Sequence, residues 1–394
     1  MRLGFHYHVP VRLDADGGVR MPGYFGRYVD CLASNCERLV LFLHVATGDA
    51  DHFDYRLQAE NVTLTPIGPP RAVPLRLLGS PLVCRGIARY SDTLDLLLVR
   101  APTPLLGAVA GALHEIPLAL LLVGDVTAAA GAAGQNAARR LAIRSLARLT
   151  KRQQDRAARR ALVLANSRVL AREYSGRARA VVETRTTTLR TEDFFERTDT
   201  CLDRPTRLLY TGRLSREKGL EDALIALRDL VESGLDVYWD LVGWASEHDD
   251  TPAELMRRAA KMGLSSRLAF HGYKPVGPEL FAFYERADIF VIASRSPFEG
   301  FPRSLWEAMA HSVPVVATAV GSIPEFLRHG REAILVPPRN PAGLAAGIRR
   351  VVEDGPLRRR MIQQGMALAR AVTLEATTRQ QCDELRRWIR ESKA

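Results

Sequence analysis

The sequence predicts an α/β protein built from two Rossmann-like domains, each a largely parallel sheet covered by helices. Three observations carry this expectation. Short, continuously apolar runs alternate with helix-period segments almost from end to end. The chain has 394 residues, more than one ordinary core organises, so two domains of roughly 150–200 residues are expected. A polar stretch at 177–205, rich in threonine and arginine, separates two series of such runs.

In the first series the expected strands are 2–7, 38–43, 62–66, 94–99, 118–123 and 161–165. In the second they are 207–211, 237–242, 267–271, 289–293, 315–317 and 333–336. Apolar residues occupy consecutive rather than alternate positions in these runs, as strands covered on both faces require. The stretch 177–205 reads as the crossing, which places the first domain at 1–190 and the second at 191–373. The last helix, about 374–394, carries apolar Leu385, Trp388 and Ile389 on a polar background and is expected to pack back onto the first domain.

Composition narrows the class. The first ten residues lack the apolar run of a signal peptide, which points to a cytoplasmic protein. The window 104–124 is broken by His114, Glu115 and Pro117, so a helix followed by a buried strand fits better than a membrane span. Five cysteines without a C-x-x-C pair read as reduced thiols. The net charge of +11 favours anionic partners. No helix-turn-helix, zinc or RNA-binding pattern accompanies that charge, so nucleic acid is not among the expected partners. The densest basic run, 139–160, has Leu141, Leu146 and Leu149 near helical spacing. Such a helix either lies on anionic lipid, at the inner face of a membrane, or presents a solvated face.

Two motifs carry chemistry. In Gly212-Arg-Leu-Ser-Arg-Glu-Lys-Gly219 the first glycine permits a tight exit from a strand, close to a ligand. Arg213 offers a planar fork for phosphate oxygens, and Lys218 a compact cation beside the start of a helix. In Glu299-Gly-Phe-Pro-Arg-Ser-Leu-Trp-Glu307, Pro302 suits a first helical turn. Glu299 then sits in the preceding loop, and Glu307 about one turn inside, on a face expected to see a ligand. Carboxylates so placed accept hydrogen bonds from sugar hydroxyls, and the amides of Gly300 and Phe301 can meet sugar or phosphate oxygens. Other features are weaker. Asp14-Ala-Asp16 reads as a solvated turn rather than a metal–diphosphate device, and no metal site is expected. His6 and His8 alternate on one strand, with His8 near its carboxyl end and able to line a cleft. Trp244 follows Val242-Gly243, where a small polar residue is expected, and would wall the site.

Across roughly 207–337 the chain resembles the retaining family-4 glycosyltransferases with the GT-B fold, in which two Rossmann-like domains face each other across a cleft. The matching words are LLYTGRLSREKG, LAFHGYKP, ADIFVIASRSPFEGFPRSLWEAMAHSVPVVAT and GSIPEFLRHGREAILVPP. The resemblance implies a nucleotide-sugar donor site in the second domain and an acceptor site in the first. It implies that Arg213 and Lys218 bind the donor diphosphate, that Glu299 touches the transferred sugar, and that Glu307 binds the ribose hydroxyls. It also implies that the backbone around Tyr273 lies along the base. Gly23 and Gly26 resemble the glycine-bearing loop near the donor phosphates and the acceptor. Where many relatives carry His-Asp, this chain has Gly124-Asp125, which leaves Asp125 as a polar contact.

The expected activity is therefore a retaining, metal-independent hexosyl transfer from a nucleotide-diphosphate sugar, a UDP-sugar ahead of a GDP-sugar, with no cofactor. The acceptor is a sugar, a lipid-linked glycan or a small molecule, as in glycan, glycolipid or glycosylated natural-product synthesis. The alternatives on the same scaffold are a nucleotide-sugar epimerase, a phosphorylase and a non-catalytic nucleotide-sugar-binding protein. The epimerase does not explain the Arg213, Lys218, Glu299 and Glu307 set, and no lysine-bound pyridoxal signal supports a phosphorylase.

Overall fold

In a computed structural model that describes residues 1–47, 53–124, 137–246, 249–297 and 299–393, the apolar runs form two separate parallel sheets. One unit comprises Met1–Thr186 with Leu374–Ala394, the other Thr187–Thr373. The chain thus divides between 186 and 187, a few residues before the 190/191 boundary expected from composition.

The strands of the first unit are β1 (Arg2–His6), β2 (Arg12–Leu13), β3 (Val19–Met21), β4 (Arg38–Leu43), β5 (Tyr55–Arg56), β6 (Val62–Pro66), β7 (Leu96–Ala101), β8 (Leu118–Leu122), β9 (Ala161–Ala165) and β10 (Ala180–Glu183). Seven of them run in the order β10-β9-β8-β7-β1-β4-β6, all parallel. Because successive side chains point to opposite faces, each apolar run feeds two cores. Phe5, Leu41, Leu98 and Leu121 join one cluster, while Phe42, Leu97, Val99 and Leu120 join the other.

The helix Leu374–Lys393 closes the first cluster with Leu385 and Trp388. Trp388 Nε1 donates to the Leu118 carbonyl at 3.0 Å, and Tyr28 on the helix Gly23–Ala33 donates to Gln381 Oε1 at 2.8 Å. The window 104–124 resolves into a helix, Leu106–Ala112, followed by β8. Among the described residues no helix is long and apolar enough to cross a membrane.

The second unit contains β11 (Thr206–Arg213), β12 (Val237–Trp244), β13 (Leu268–Phe270), β14 (Ile289–Ile292), β15 (Val315–Thr318) and β16 (Ala333–Val336). They form a parallel sheet in the order β13-β12-β11-β14-β15-β16, around a core that includes Trp239, Trp306, Tyr284 and Phe290.

Several elements depart from expectation. β10 lies inside the stretch read as a crossing. It is an edge strand whose residues are half-buried or exposed, so it lacks the unbroken apolar signal of its neighbours. β2, β3 and β5 make a small antiparallel sheet of strands two or three residues long, too short to show a period. Asp14 and Asp16 sit in the β2–β3 turn, where Asp14 pairs with Arg12 and Arg20 and Asp16 with Arg56.

The basic helix spans Ala137–Ala158, with Ala147, Thr150 and Gln154 facing inward and Leu141 and Leu149 exposed. His6 and His8 do not share a strand face. His6 closes β1, buried, with Nδ1 2.8 Å from the Phe42 carbonyl and Nε2 3.2 Å from Thr103 Oγ1, whereas His8 lies past the strand end.

Burial pushes both imidazoles down to about 4, with the nearby charge of Arg100 adding to the effect on His8. Since an unfolded histidine titrates near pH 6.5, only the unfolded chain takes up these protons as pH falls. The stability from keeping the rings neutral is complete above about pH 6.5 and is lost toward pH 4, by roughly 3 kcal/mol per histidine. Urea unfolding at pH 7.5 and pH 5 should show a clearly lower midpoint at the lower pH. In His6→Gln that difference should shrink; an unchanged difference would contradict the assignment.

Candidate functional site

The second sheet has its switch of strand order at β11, which pairs with β12 on one side and β14 on the other. In open α/β sheets the crevice beyond the carboxyl ends at such a point is the usual ligand site. The two motifs leave the sheet there. Lys218 follows β11 and Glu299 follows β14. Lys218 Nζ lies 2.7 and 2.8 Å from the two oxygens of Glu299, an ion pair with both side chains largely covered. Ser294 donates its hydroxyl to Glu299 Oε2.

Glycines make the approach possible. Gly219 follows Lys218 with φ +65°, and a Cβ there would stand 1.9 Å from the Ala293 carbonyl oxygen. Gly321 has φ +54°, and its Cβ would meet the Glu299 carbonyl oxygen at 1.9 Å. That same carbonyl accepts from the Ser322 amide at 2.9 Å. The Glu299 loop is therefore seated on the turn that follows β15. Beneath it, Arg295 grips buried Asp222 through Nε at 2.7 Å and Nη2 at 2.5 Å, tying the loop to the helix Leu220–Glu232.

Arg213 is placed differently from expectation. It and Gly212 are the last two residues of β11 rather than residues after it, because β11 and β12 stay in register through Gly212↔Gly243 and Arg213↔Trp244. Its guanidinium is half-exposed and pairs with Glu217. Both expected phosphate-binding cations thus have carboxylate partners. Trp244 is 47% exposed, in register beside Arg213. Tyr273 is half-buried just after Gly272, whose carbonyl accepts from the Gly243 amide at 2.9 Å.

The second motif also needs correction. The helix runs Arg303–Ala310, so Pro302 precedes it as the cap residue instead of occupying the first turn. The amides of Gly300 and Phe301 have no partner among the described residues, while the Phe301 ring packs on Trp306 at 4.1 Å. Glu307 does not present an open face. It is 5% exposed, and its two oxygens accept from Thr188 Oγ1 at 2.5 Å and Tyr284 Oη at 2.7 Å. Burial and the Glu307 charge hold the Tyr284 phenol well above its ordinary range, so it stays a donor.

In the first unit Gly23 opens the helix Gly23–Ala33, and its amide donates to Asp54 Oδ1 at 2.6 Å. Gly26 lies inside that helix, where a Cβ would come within 2.2 Å of the Tyr55 ring. Its amide donates to the Pro22 carbonyl at 3.0 Å, so both glycine amides are bonded within this unit. His8 is half-buried with Nδ1 unpartnered. Asp125 lies outside the described residues.

Sequence reasoning missed Ser294, Asp222, Arg295, Gly321 and Thr188. Gly321-Ser322 follows β15 directly, at the carboxyl edge that holds the other motifs, and that position was the available signal. Thr188 is distant in sequence from Glu307, and nothing local connects them.

Residues 195–367 match the family model described as glycosyl transferases group 1. The chain is 33% identical over 149 residues to the amylovoran biosynthesis glycosyltransferase AmsK of Erwinia amylovora, covering 37% of this chain and 35% of that one. It is 33% identical over 150 residues to the glycogen synthase of Mycobacterium tuberculosis, covering 38% and 34%. The match therefore spans about a third of the length of these curated relatives. The crystal structure of Anabaena HepE in complex with UDP-glucose superposes with a TM-score of 0.70 at 20% identity, covering 98% of this chain and 99% of that one. That likeness shows the fold to be GT-B.

A Cβ at Gly321 must displace the Glu299 backbone. Gly321→Ala should cost about 1–3 kcal/mol in urea unfolding and loosen the Lys218–Glu299 pair. Unchanged stability would show that the turn relaxes without consequence.

Proposed function

We propose that this chain, whose residues 195–367 match the glycosyl transferases group 1 family model, moves a glycosyl group from a nucleotide-diphosphate sugar to an acceptor hydroxyl with retained configuration, in the manner of family 4. The observation that carries the reading is the Lys218–Glu299 pair at the strand-order switch of the second sheet. A cation and a carboxylate held side by side suit a ligand that carries a diphosphate next to a polyhydroxylated ring.

In this reading the acceptor oxygen bonds to the anomeric carbon as the bond from that carbon to the diphosphate oxygen breaks. The hydroxyl proton passes to the departing phosphate on the same face. Arg213 and Lys218 offset the charge gathering on that phosphate, a contribution that fixed cations make without a metal. Each would exchange its carboxylate partner, Glu217 or Glu299, for phosphate oxygens. Glu299 then turns to the sugar hydroxyls.

Glu307 reaches ribose only by releasing Thr188 or Tyr284. Otherwise it acts from below by fixing the helix that starts after Pro302. Gly212, Gly300, Phe301 and Tyr273 offer backbone to the donor. UDP is the favoured nucleotide, consistent with the UDP-glucose held by HepE. A polysaccharide-pathway acceptor is consistent with AmsK. The chain works in the cytoplasm and meets the membrane peripherally through the exposed Leu141 and Leu149 among the arginines of Ala137–Ala158.

A thermal-shift screen of UDP, GDP, ADP and dTDP and their sugars should single out one nucleotide, because a ligand of the folded state raises the melting temperature by mass action. Arg213→Ala should lose that shift. Stabilisation by none of them would overturn the donor assignment. With the active donor, Lys218→Ala and Glu299→Ala should each lower kcat/KM by about 10²–10³-fold while retaining far-UV dichroism. Rates near those of the unaltered protein would contradict the site. Flotation with anionic liposomes at low salt, absent in Leu141→Asp/Leu149→Asp, tests the membrane contact; failure of the unaltered protein to float would end it.

A further inference from the structure

The carboxyl edge of the first sheet carries a second pocket, of about 280 Å³, beyond β4 and β6. His44, the residue after β4, forms part of its wall together with Gly68, two residues past β6. The helical turns Val73–Leu78 and Ser80–Ala88 supply the outer side, with Arg76, Leu75 and Leu82, and Arg71 stands just before them. None of the residues lining the pocket is acidic. Neither Arg71 nor Arg76 has a carboxylate partner among the described residues. Arg76 Nε donates to the Arg71 carbonyl, and the two guanidiniums stand on one wall of a pocket whose lining carries no carboxylate.

His44 is 2% exposed, yet only one of its ring nitrogens is used. Nδ1 lies 3.1 Å from the Gly68 carbonyl, and Nε2 is buried without a partner. Burial keeps this ring neutral, with the Arg76 charge reinforcing the effect. A neutral ring that donates from Nδ1 leaves a lone pair at Nε2. An unpaired buried acceptor of this kind is costly unless a ligand or solvent donor meets it. Leu75 and Leu82, 51% and 73% exposed, give the rim an apolar lip.

We propose that this pocket binds the phosphate group of a phosphorylated acceptor. A phosphomonoester combines what the wall requires. Its anionic oxygens accept from the guanidiniums of Arg71 and Arg76, and in the monoanion its P–OH donates to His44 Nε2. A carboxylate supplies the first but not the second. The assignment rests on the transfer activity proposed above, with the first unit as the acceptor side. Two sources share this chemistry: a soluble sugar phosphate, and a lipid phosphate whose chain would lie on Leu75 and Leu82.

Calorimetric titration of the full chain with glucose 6-phosphate and with hexyl phosphate, against glucose and hexanol, tests the assignment. At least one phosphomonoester should bind saturably and at least tenfold tighter than its uncharged counterpart. Arg71→Gln/Arg76→Gln should weaken that binding tenfold or more with an unchanged melting temperature. Should the double variant melt early, the exposed Arg71→Gln alone gives the same readout. Preference for glucose 6-phosphate identifies a soluble acceptor, and preference for hexyl phosphate a lipid one. Hexyl sulfate, which has no proton to give, should bind several-fold more weakly than hexyl phosphate.

No saturable binding of either ester, or equal binding by the arginine variants, overturns the proposal. UDP titrated in parallel separates the two readings. Phosphomonoester binding without UDP binding would sink the donor assignment and leave this pocket standing, and the converse result would do the opposite.

Discussion

The second unit is organised around a single ion pair, Lys218 with Glu299, held where the strand order of its sheet reverses. At 2.7 Å and an effective dielectric of about 20, the gross attraction is about 6 kcal/mol. The desolvation of two largely covered charges offsets most of it. The pair is thus better understood as a positioning device than as a source of stability. Its surroundings agree. Gly219 and Gly321 give the backbone room to approach, Ser294 fixes one carboxylate oxygen, and the Arg295–Asp222 fork anchors the loop from beneath.

The same logic explains why so much of this unit was legible in the sequence. Its strands are covered on both faces, so their apolar runs are unbroken, and β16 has the expected limits. Charged words at strand ends then mark the candidate site. What stayed hidden depends on contacts distant in sequence. Glu307 appears on a helical wheel as a ligand-facing carboxylate, but Thr188, 119 residues earlier, and Tyr284 cover it. Strand extension is equally nonlocal. Gly212 and Arg213 read as a turn, yet β12 continues alongside them and keeps them in the sheet.

The first unit was legible as a fold and much less so as a site. β1, β4, β6, β8 and β9 fall at or within a residue of their expected limits, whereas the edge strand β10 and the short β2, β3 and β5 carry no comparable signal. In its glycine motif Gly26 lies close against Tyr55 and the Gly23 amide donates to Asp54. At its strand ends His8, His44 and Arg100 carry buried nitrogens without hydrogen-bond partners. No local pattern announces such residues, because what sets them apart is burial without a hydrogen bond. The family match begins at residue 195 and so leaves this unit to be understood from its own physics.

The central claim is that Lys218 and Glu299 divide the donor between them, the cation taking the diphosphate and the carboxylate the sugar. Calorimetric titration of Glu299→Ala with UDP and with UDP-glucose separates the two roles. The account predicts that Glu299→Ala binds UDP about as well as the unaltered protein does, or better once Lys218 is released, while UDP-glucose loses its added affinity. Equal weakening of both ligands would mean that Glu299 acts only by holding Lys218 in place, and would contradict the claim.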